Sequence, residues 1–352
     1  MIGVIMAGGK GTRLRPITAT RPKPMVRVLG RPVIDYLKDT LVEGGINEIV
    51  LTTGYRGRQL EDHVATWSAP GLQASVNQEA TPMGTAGSVG LLRDRLTSTF
   101  VVGSGDGIIS FDLASLIQRH RSVGAIATMA LWEVEDPSPF GIVGLGATPT
   151  SEVDGSLDAG WIRRFKEKPT KREAFSKVIN AGLYVLEPEV LDHIPLEGAY
   201  DFSKDLFPRL LNLGLPLHAA RIDGVWFDVG RPEEVLRAQE ELMERSGDAI
   251  AASASWIHPD AIVEGACHSS VVEAEVLIDD GSRVEGSLLM RGTHVGPGCV
   301  IRSCLLGESV RVGTGSVLSG IVVGDGEVIE AGTHMEAHDS EGMVALGGTD
   351  LL

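Results

Sequence analysis

The chain has 352 residues, 43% hydrophobic and 22% charged, with a formal net charge of -16 at pH 7. That length accommodates two domains and a large core, and the composition is ordinary for a globular protein. The acidic balance argues against a nucleic-acid backbone or an anionic membrane as partner.

The first apolar run, Ile2–Met6, reads as a buried strand, and MAGGKGTRLRPITATRPKP (6–24) follows it. Gly8, Gly9 and Gly11 bare the backbone, and Arg13 and Lys23 bracket the loop with fixed positive charge. Backbone N–H groups beside cations suit a loop that wraps a nucleoside triphosphate. It is not a Walker loop, because Gly11 follows Gly9-Lys10 and Val4 fills the slot for the first glycine. It is not a dinucleotide fingerprint either, since Thr-Arg-Leu stands where a third glycine belongs.

Further strands are expected at Glu48–Thr52, Ala74–Asn77, Thr99–Gly103 and Ile126–Trp132, with helices at Pro32–Glu43, Gly57–Trp67, Thr85–Asp94 and Leu113–Arg121. This alternation predicts an α/β fold, a Rossmann-like and mostly parallel sheet with its ligands beyond the carboxyl ends of the strands. A last helix, Pro232–Arg245, opens on proline and on Glu233-Glu234, which complement its dipole. The small, polar stretch SGDAIAASAS (246–255) reads as a linker.

After it, aliphatic residues recur every six positions: Ile257 and Val263; Ile278, Val284 and Met290; Leu289, Val295 and Ile301; Leu306, Val312 and Leu318; Val323, Ile329 and Met335. That period predicts a parallel β-helix whose coils bury one another's aliphatic residues. The expected domains are residues 1–247, a linker at 248–256 and the β-helix at 257–352. Cys267, Cys299 and Cys304 form no CxxC pair and read as reduced thiols. With no signal-like N-terminus and no apolar span of about 18 residues, the expected location is cytoplasmic.

The chain resembles the sugar-1-phosphate nucleotidylyltransferases, with the mannose-1-phosphate guanylyltransferases nearest, followed by a left-handed β-helix of hexapeptide repeats. The resemblance covers nearly the full length. It rests on GGKGTRLRPIT (8–18), PKPM (22–25), TGY (53–55), PMGTAG (82–87), GDG (105–107), FGIV (140–143), FKEKP (165–169), NAGLY (180–184) and WFDVG (226–230), in the family's order.

The resemblance implies an in-line displacement: a sugar-1-phosphate oxygen attacks the α-phosphorus of a nucleoside triphosphate and pyrophosphate leaves. Protein work in such reactions is mostly positioning and charge neutralisation. It further implies nucleotide binding by Ala7, Gly8, Gly9, Gly11, Thr12, Arg13, Glu79, Gly84, Thr85 and Ala86. Arg13 would hold the triphosphate and leaving pyrophosphate, and Lys23 the phosphates near the reacting centre. Asp106 and Asp228 would ligate Mg²⁺, the expected cofactor. Gly141, Glu167, Lys168, Asn180 and Gly182 would bind the sugar phosphate. Lys10, Arg15 and Arg21 read instead as solvated surface charges. Ser104 departs from the family, which often has Asn before the Gly-Asp pair.

Glu79 bears on the base. A carboxylate offers only acceptors, which suit the adjacent N1–H and amine donors of guanine and oppose the oxygens of a pyrimidine. The expected nucleotide is therefore GTP, and the resemblance implies mannose 1-phosphate with it. The alternatives are a thymidylyl-, uridylyl- or adenylyltransferase acting on glucose 1-phosphate, and a non-catalytic regulatory subunit that binds nucleotide sugar. Retention of Arg13, Lys23, Asp106 and Asp228 argues against the latter. Acyltransfer by His258, His268, His294, His334 or His338 rests on fold analogy alone, and coil corners are the expected place for these histidines. Self-association through the β-helix is expected from its apolar surfaces.

Overall fold

Four apolar runs of the N-terminal region become β1 (Ile2–Met6), β2 (Glu48–Thr53), β3 (Gln73–Gln78) and β4 (Phe100–Ser104). The computed structural model that shows them describes residues 1–54, 56–245, 255–337 and 342–347. Most of the linker at 248–256, Tyr55 of the TGY motif, and His338 lie outside the described residues. The chain divides into two compact units, Met1–Gly9 with Ile34–Trp226, and Lys10–Val33 with Phe227–Leu352.

In the first unit, β1, β2 and β4 are covered on both faces, so their sequences run apolar without alternation. β1 pairs in parallel with β2 and β4, and β2 pairs in parallel with β3. Helices α1 (Val33–Glu43), α2 (Gly57–Val64), α3 (Gly84–Gly90) and α4 (Leu113–Val123) alternate with these strands. α2 and α3 stop earlier than expected. In α3 the sequence GTAGSVG explains this, because each glycine weakens a helix interior.

The sheet continues with β5 (Ala127–Glu133), β6 (Gly141–Gly146), β7 (Ala159–Glu167), β8 (Val178–Leu186) and β9 (Leu217–Arg221). Its order is β3-β2-β1-β4-β8-β5-β9-β7-β6, with a further β8–β6 pairing. All strands but β7 and β8 point the same way, so the mostly parallel reading holds. The periodicity gave no sign of β6 to β9. β6 is the glycine-rich GIVGLG and β7 ends in the polar run RRFKE, and neither reads as an apolar run. α3 packs on β1 and β2, and α4 packs on β5, β8 and β9. Tyr184, Phe202 and Phe207 form an aromatic cluster with ring centres 4.9–5.6 Å apart.

The second unit holds α5 (Pro232–Arg245) and the left-handed β-helix, three stacks of short parallel strands. Val272, Leu289, Leu306 and Val323 form one ladder, and Ile278, Val295, Val312 and Ile329 a second. Cys267, Val284, Ile301, Leu318 and Met335 form the third. From Val271 to Glu336 successive coils are 17 residues apart, so the six-residue spacing shortens by one at one corner, while Trp256 and Ile262 in the first coil lie 15 residues before their partners Val271 and Leu277. This corrects the run ending in Met290: Leu289 takes the interior position, and Met290 is buried from outside with its sulfur 3.7 Å from Arg21 Nη1. Ile257, in the first coil, is 40% exposed. His268, His294 and His334 occupy strands rather than corners, and His294 and His334 pair with Asp279 and Glu336. Among the described residues no helix is long and apolar enough to cross a membrane.

Candidate active site

In the first unit the carboxyl ends of β3, β2, β1 and β4 lie in register: Gln78 beside Thr53, Thr52 beside Met6, Met6 beside Ser104. This alignment places Ala7–Gly9, Glu79 and Asp106 along one edge, where ligands of such sheets sit. Ala7 N–H donates to the Thr52 carbonyl at 2.8 Å, and Glu79 N–H to that of Thr53 at 2.8 Å. A side chain at Gly9 would meet nothing within 4 Å, so its backbone faces open space.

Glu79 turns inward. Its Oε2 accepts the Met83 N–H at 3.0 Å, and its Oε1 lies 3.7 Å from where a Cβ of Gly8 would stand. Burial pushes its carboxyl up from the ordinary carboxylate value, and the Met83 N–H partly opposes this. The Met83 bond fixes the loop that enters α3. Gly84 has φ of +73°, and a Cβ there would come within 2.6 Å of the Tyr200 carbonyl, so only glycine fits. That carbonyl accepts the N–H groups of Ala86 and Gly87 at 2.9 and 3.0 Å. The hydroxyl of Thr85 bonds Asp201 at 3.0 Å and accepts the Phe202 N–H at 2.9 Å. The N-terminal turn of α3 is thus tied to the segment 200–202.

Asp106 follows β4, and its Oδ1 accepts the Ser104 hydroxyl at 2.6 Å. The family departure at position 104 therefore supplies a hydrogen-bond donor to this carboxylate. Gly182 sits on the neighbouring strand, 3.3 Å from Ser104 Cβ when given a Cβ of its own. Pairing of β8 with β5 slips between Asn180 and Tyr184, and Asn180 organises this bulge. Its carbonyl oxygen accepts the Gly182 N–H at 2.9 Å, and its amide donates to Tyr184 Oη at 2.8 Å and Ser203 Oγ at 3.2 Å.

Gly141 and Glu167 face each other across the β6–β7 pair. A Cβ at Gly141 would stand 2.7 Å from Glu167 Oε2. Burial pushes the Glu167 carboxyl up, and Asp201 adds to this, against Lys168, Lys204 and Ser203. Lys168 is exposed and has a left-handed φ of 46°, its N–H bonded to the Phe140 carbonyl at 2.9 Å. Asp201, Ser203 and Lys204 are neighbours of Glu167 and Asn180 that motif reading missed. Asp201 caps the helical turn Phe202–Leu206 by accepting from the N–H groups of Ser203 and Lys204, and DFS in a loop carried no distinguishing signal.

The second unit gathers another set. Gly11 has φ of +62° and its carbonyl accepts both the Thr18 hydroxyl at 2.6 Å and the Leu14 N–H at 3.0 Å. A Cβ on Gly11 would meet Lys23 Cβ at 2.9 Å. Lys23 is 5% exposed, with its ammonium 3.4 Å from Asp228 Oδ1. Thr12 and Arg13 are exposed on the short turn Thr12–Leu14. Arg13 Nη2, Asp228 Oδ2 and Glu234 Oε2 converge on Gly230, each within 3.1 Å of a Cβ placed there. Glu234 accepts the Gly230 N–H at 2.9 Å. Its carboxyl is pushed up by burial and by Asp228, against the N–H groups of Gly230 and Arg231 and the charge of Arg13.

Arg21 corrects the surface reading given above. It is 9% exposed and its guanidinium pairs with Glu308, at 2.8 Å, and with Asp325. A burial this deep rests on partners nearly 300 residues away in the sequence, which no local pattern announces.

The comparisons agree with these observations. The Nucleotidyl transferase family matches residues 2–245, and the GlmU-like C-terminal hexapeptide family matches residues 240–335. A mannose-1-phosphate guanylyltransferase of Mycobacterium tuberculosis is 33% identical over 85% of this chain and 82% of its own. A UTP–glucose-1-phosphate uridylyltransferase of Synechocystis is 32% identical over 86% and 80%. A mannose-1-phosphate guanylyltransferase catalytic subunit beta of Danio rerio is 30% identical over 87% and 86%. The chain therefore belongs to the sugar-1-phosphate nucleotidylyltransferases of the Nucleotidyl transferase family, with a GlmU-like hexapeptide domain at its C-terminal end.

Proposed function

We propose that the chain transfers GMP from GTP to mannose 1-phosphate, forming GDP-mannose and pyrophosphate. The observation that carries the choice of base is the inward carboxylate of Glu79, with Oε1 beside Gly8. An acceptor-only edge matches the paired donors of guanine. The Mycobacterium and zebrafish relatives carry guanylyltransferase names, whereas the Synechocystis relative is named a uridylyltransferase. Uridylyl transfer to glucose 1-phosphate is therefore the second reading.

In the displacement, a phosphate oxygen of the sugar phosphate forms the new bond to the α-phosphorus as the bond to the β-phosphate oxygen breaks. Arg13 holds the departing pyrophosphate through its forked donors, and Lys23 holds charge near the reacting centre as a point cation. Ala7, Gly8, Gly9, Gly11 and Thr12 present backbone to the nucleotide, with Gly84, Thr85 and Ala86 beside the base. Glu167 and Asn180 take sugar hydroxyls, Lys168 takes the sugar phosphate, and Gly141 and Gly182 allow close approach. Asn180 offers its remaining carbonyl lone pair, since its two N–H groups are engaged.

Members of the family generally use a divalent metal. Among the described residues no cluster of three or more His, Cys, Asp or Glu side chains is placed to cage an ion. Mg²⁺ keeps waters and takes one or two carboxylates plus substrate phosphates, so two aspartates would suffice to hold it. Asp106 and Asp228 are the proposed ligands, and the ion when bound offsets phosphate charge. Residues 1–247 are the proposed catalytic region, 248–256 a linker, and 257–352 a β-helix through which copies associate. Ile262 and Val328, 59% and 61% exposed, support that last role.

The test is pyrophosphate release from purified protein supplied with each nucleoside triphosphate and sugar 1-phosphate pair. GTP with mannose 1-phosphate is expected to be fastest. Preference for UTP with glucose 1-phosphate selects the second reading, and no release with any pair leaves a binding subunit.

A further inference from the structure

The segment bearing Lys23 is held at both ends by carboxylates of the β-helix. On one side, Arg21 pairs with Glu308 at 2.8 Å and with Asp325. The Thr20 hydroxyl donates to Asp325 Oδ2 at 2.5 Å. The other oxygen of Asp325 accepts the Glu308 N–H at 2.8 Å, which locks the two acids together. On the other side, Arg27 lies 3.3 Å from Glu273 Oε2, and the Arg291 N–H donates to that same oxygen at 3.1 Å. Glu273 is 2% exposed and its second oxygen has no hydrogen-bond partner among the described residues. Trp256, at the start of the first coil, fills the space beside Gly30, its ring 2.5 Å from where a Cβ would stand.

These contacts have one thing in common. They fix residues 20–30 from the β-helix, and Lys23 is the charged residue between the two latches. Its buried ammonium is itself paired with the half-buried Asp228. A buried carboxylate such as Glu273 is costly unless a cation stays near it, so each latch resists opening.

We propose that Arg21 and Arg27, with Asp325, Glu308 and Glu273, are positioning residues for nucleotidyl transfer, and that the β-helix sets where Lys23 presents its charge. This rests on the role given to Lys23 above. The β-helix is thereby part of the catalytic apparatus rather than only an association surface. Displacing a charged group by about 1 Å lowers turnover by up to about 10²-fold.

The experiment uses full-length Arg21→Ala and the near-isosteric Asp325→Asn. Arg302→Ala is the control, since its exposed side chain on the β-helix lies beside the exposed Glu285 and pairs with no latch residue among the ion pairs of the described residues. Three quantities are read: kcat and KM for both substrates, and amide hydrogen exchange at residues 23, 25 and 26. Expected are a fall in kcat of about tenfold to 10²-fold in both latch variants, faster exchange in that segment, and parental behaviour in the control. Asp325→Asn keeps the test decisive should Arg21→Ala unfold. Latch variants with kcat within about twofold of the parent overturn the proposal. So does a fall in kcat with unchanged exchange. If the parent protein itself turns over no substrate pair, the functional reading fails, while the exchange data still decide whether the latches hold the segment.

Discussion

Gly11→Ala isolates the coupling between loop geometry and Lys23. Residue 11 has φ of 62° and ψ of 34°, where a side chain costs about 1–2 kcal/mol. The added Cβ would also stand 2.9 Å from Lys23 Cβ and 3.1 Å from Thr18 Cγ2. Both are atoms next to the backbone or fixed on a β-branched side chain, so no rotamer change clears them. Overpacking of this kind adds about 1–3 kcal/mol. The sum is about 2–5 kcal/mol, less than the stability of most proteins, so the variant should fold with a lower Tm. Relief must come from movement of Lys23 or the turn after Gly11, and kcat should fall toward the scale of about 10²-fold seen for small misplacements. Gly9→Ala is the comparison: its Cβ meets nothing within 4 Å, so stability should change by less than about 0.5 kcal/mol. Thermal unfolding and steady-state pyrophosphate release measure both effects. Equal Tm values for the two variants would refute the steric reasoning.

Four further outcomes are expected. Glu79→Gln keeps an oxygen for the Met83 N–H but introduces donors beside Gly8; kcat/KM for GTP should fall relative to UTP, and an unchanged ratio removes the base assignment. Asp106→Asn and Asp228→Asn should each lower kcat by at least about 10²-fold, with little change in Tm for Asp106→Asn and a lower Tm for Asp228→Asn, which leaves the buried Lys23 ammonium without its carboxylate; persistent turnover at saturating Mg²⁺ counts against the ligand assignment. Asn180→Asp loses donors to Tyr184 and Ser203 and should destabilise by about 1–3 kcal/mol in denaturant titration. His218 is buried with no partner on Nδ1 among the described residues, and burial, with Arg119 and His120, pushes it down to about 4. The unfolded imidazole titrates at about 6.5 and binds the proton more readily, so its contribution to stability is present above that pH and is lost as pH falls toward 4. Tm of His218→Leu should therefore decline less than that of the parent over this window; parallel curves would refute this.

Much of the molecule was legible in its residues. β1, β2 and β4 are buried on both faces, and burial writes a continuous apolar run that needs no alignment to read. α5 announced its start with Pro232 and two acids and was found with the expected bounds. The β-helix ladders repeat because each coil must fill the same interior. Glycine positions were informative where geometry allows nothing else, as at Gly84 against Tyr200. Reading failed where neighbours decide. β6 and β7 exist through pairing partners rather than apolar pattern, and Met290 lost the interior to Leu289 because a corner drops one residue.

What the sequence determined by itself is the local pattern: a glycine-rich loop flanked by cations, a mostly parallel sheet, a stacked helix of strands, and the family to which these belong. Only the tertiary structure decided which charges are buried together. Arg21 reads as a surface cation, yet it lies beneath Glu308 and Asp325. The direction of Glu79 near a strand end is set by no local pattern, and the structure sets it against the Met83 N–H and beside Gly8. Burial and pairing depend on segments hundreds of residues apart meeting in space, and a local pattern carries no record of that meeting.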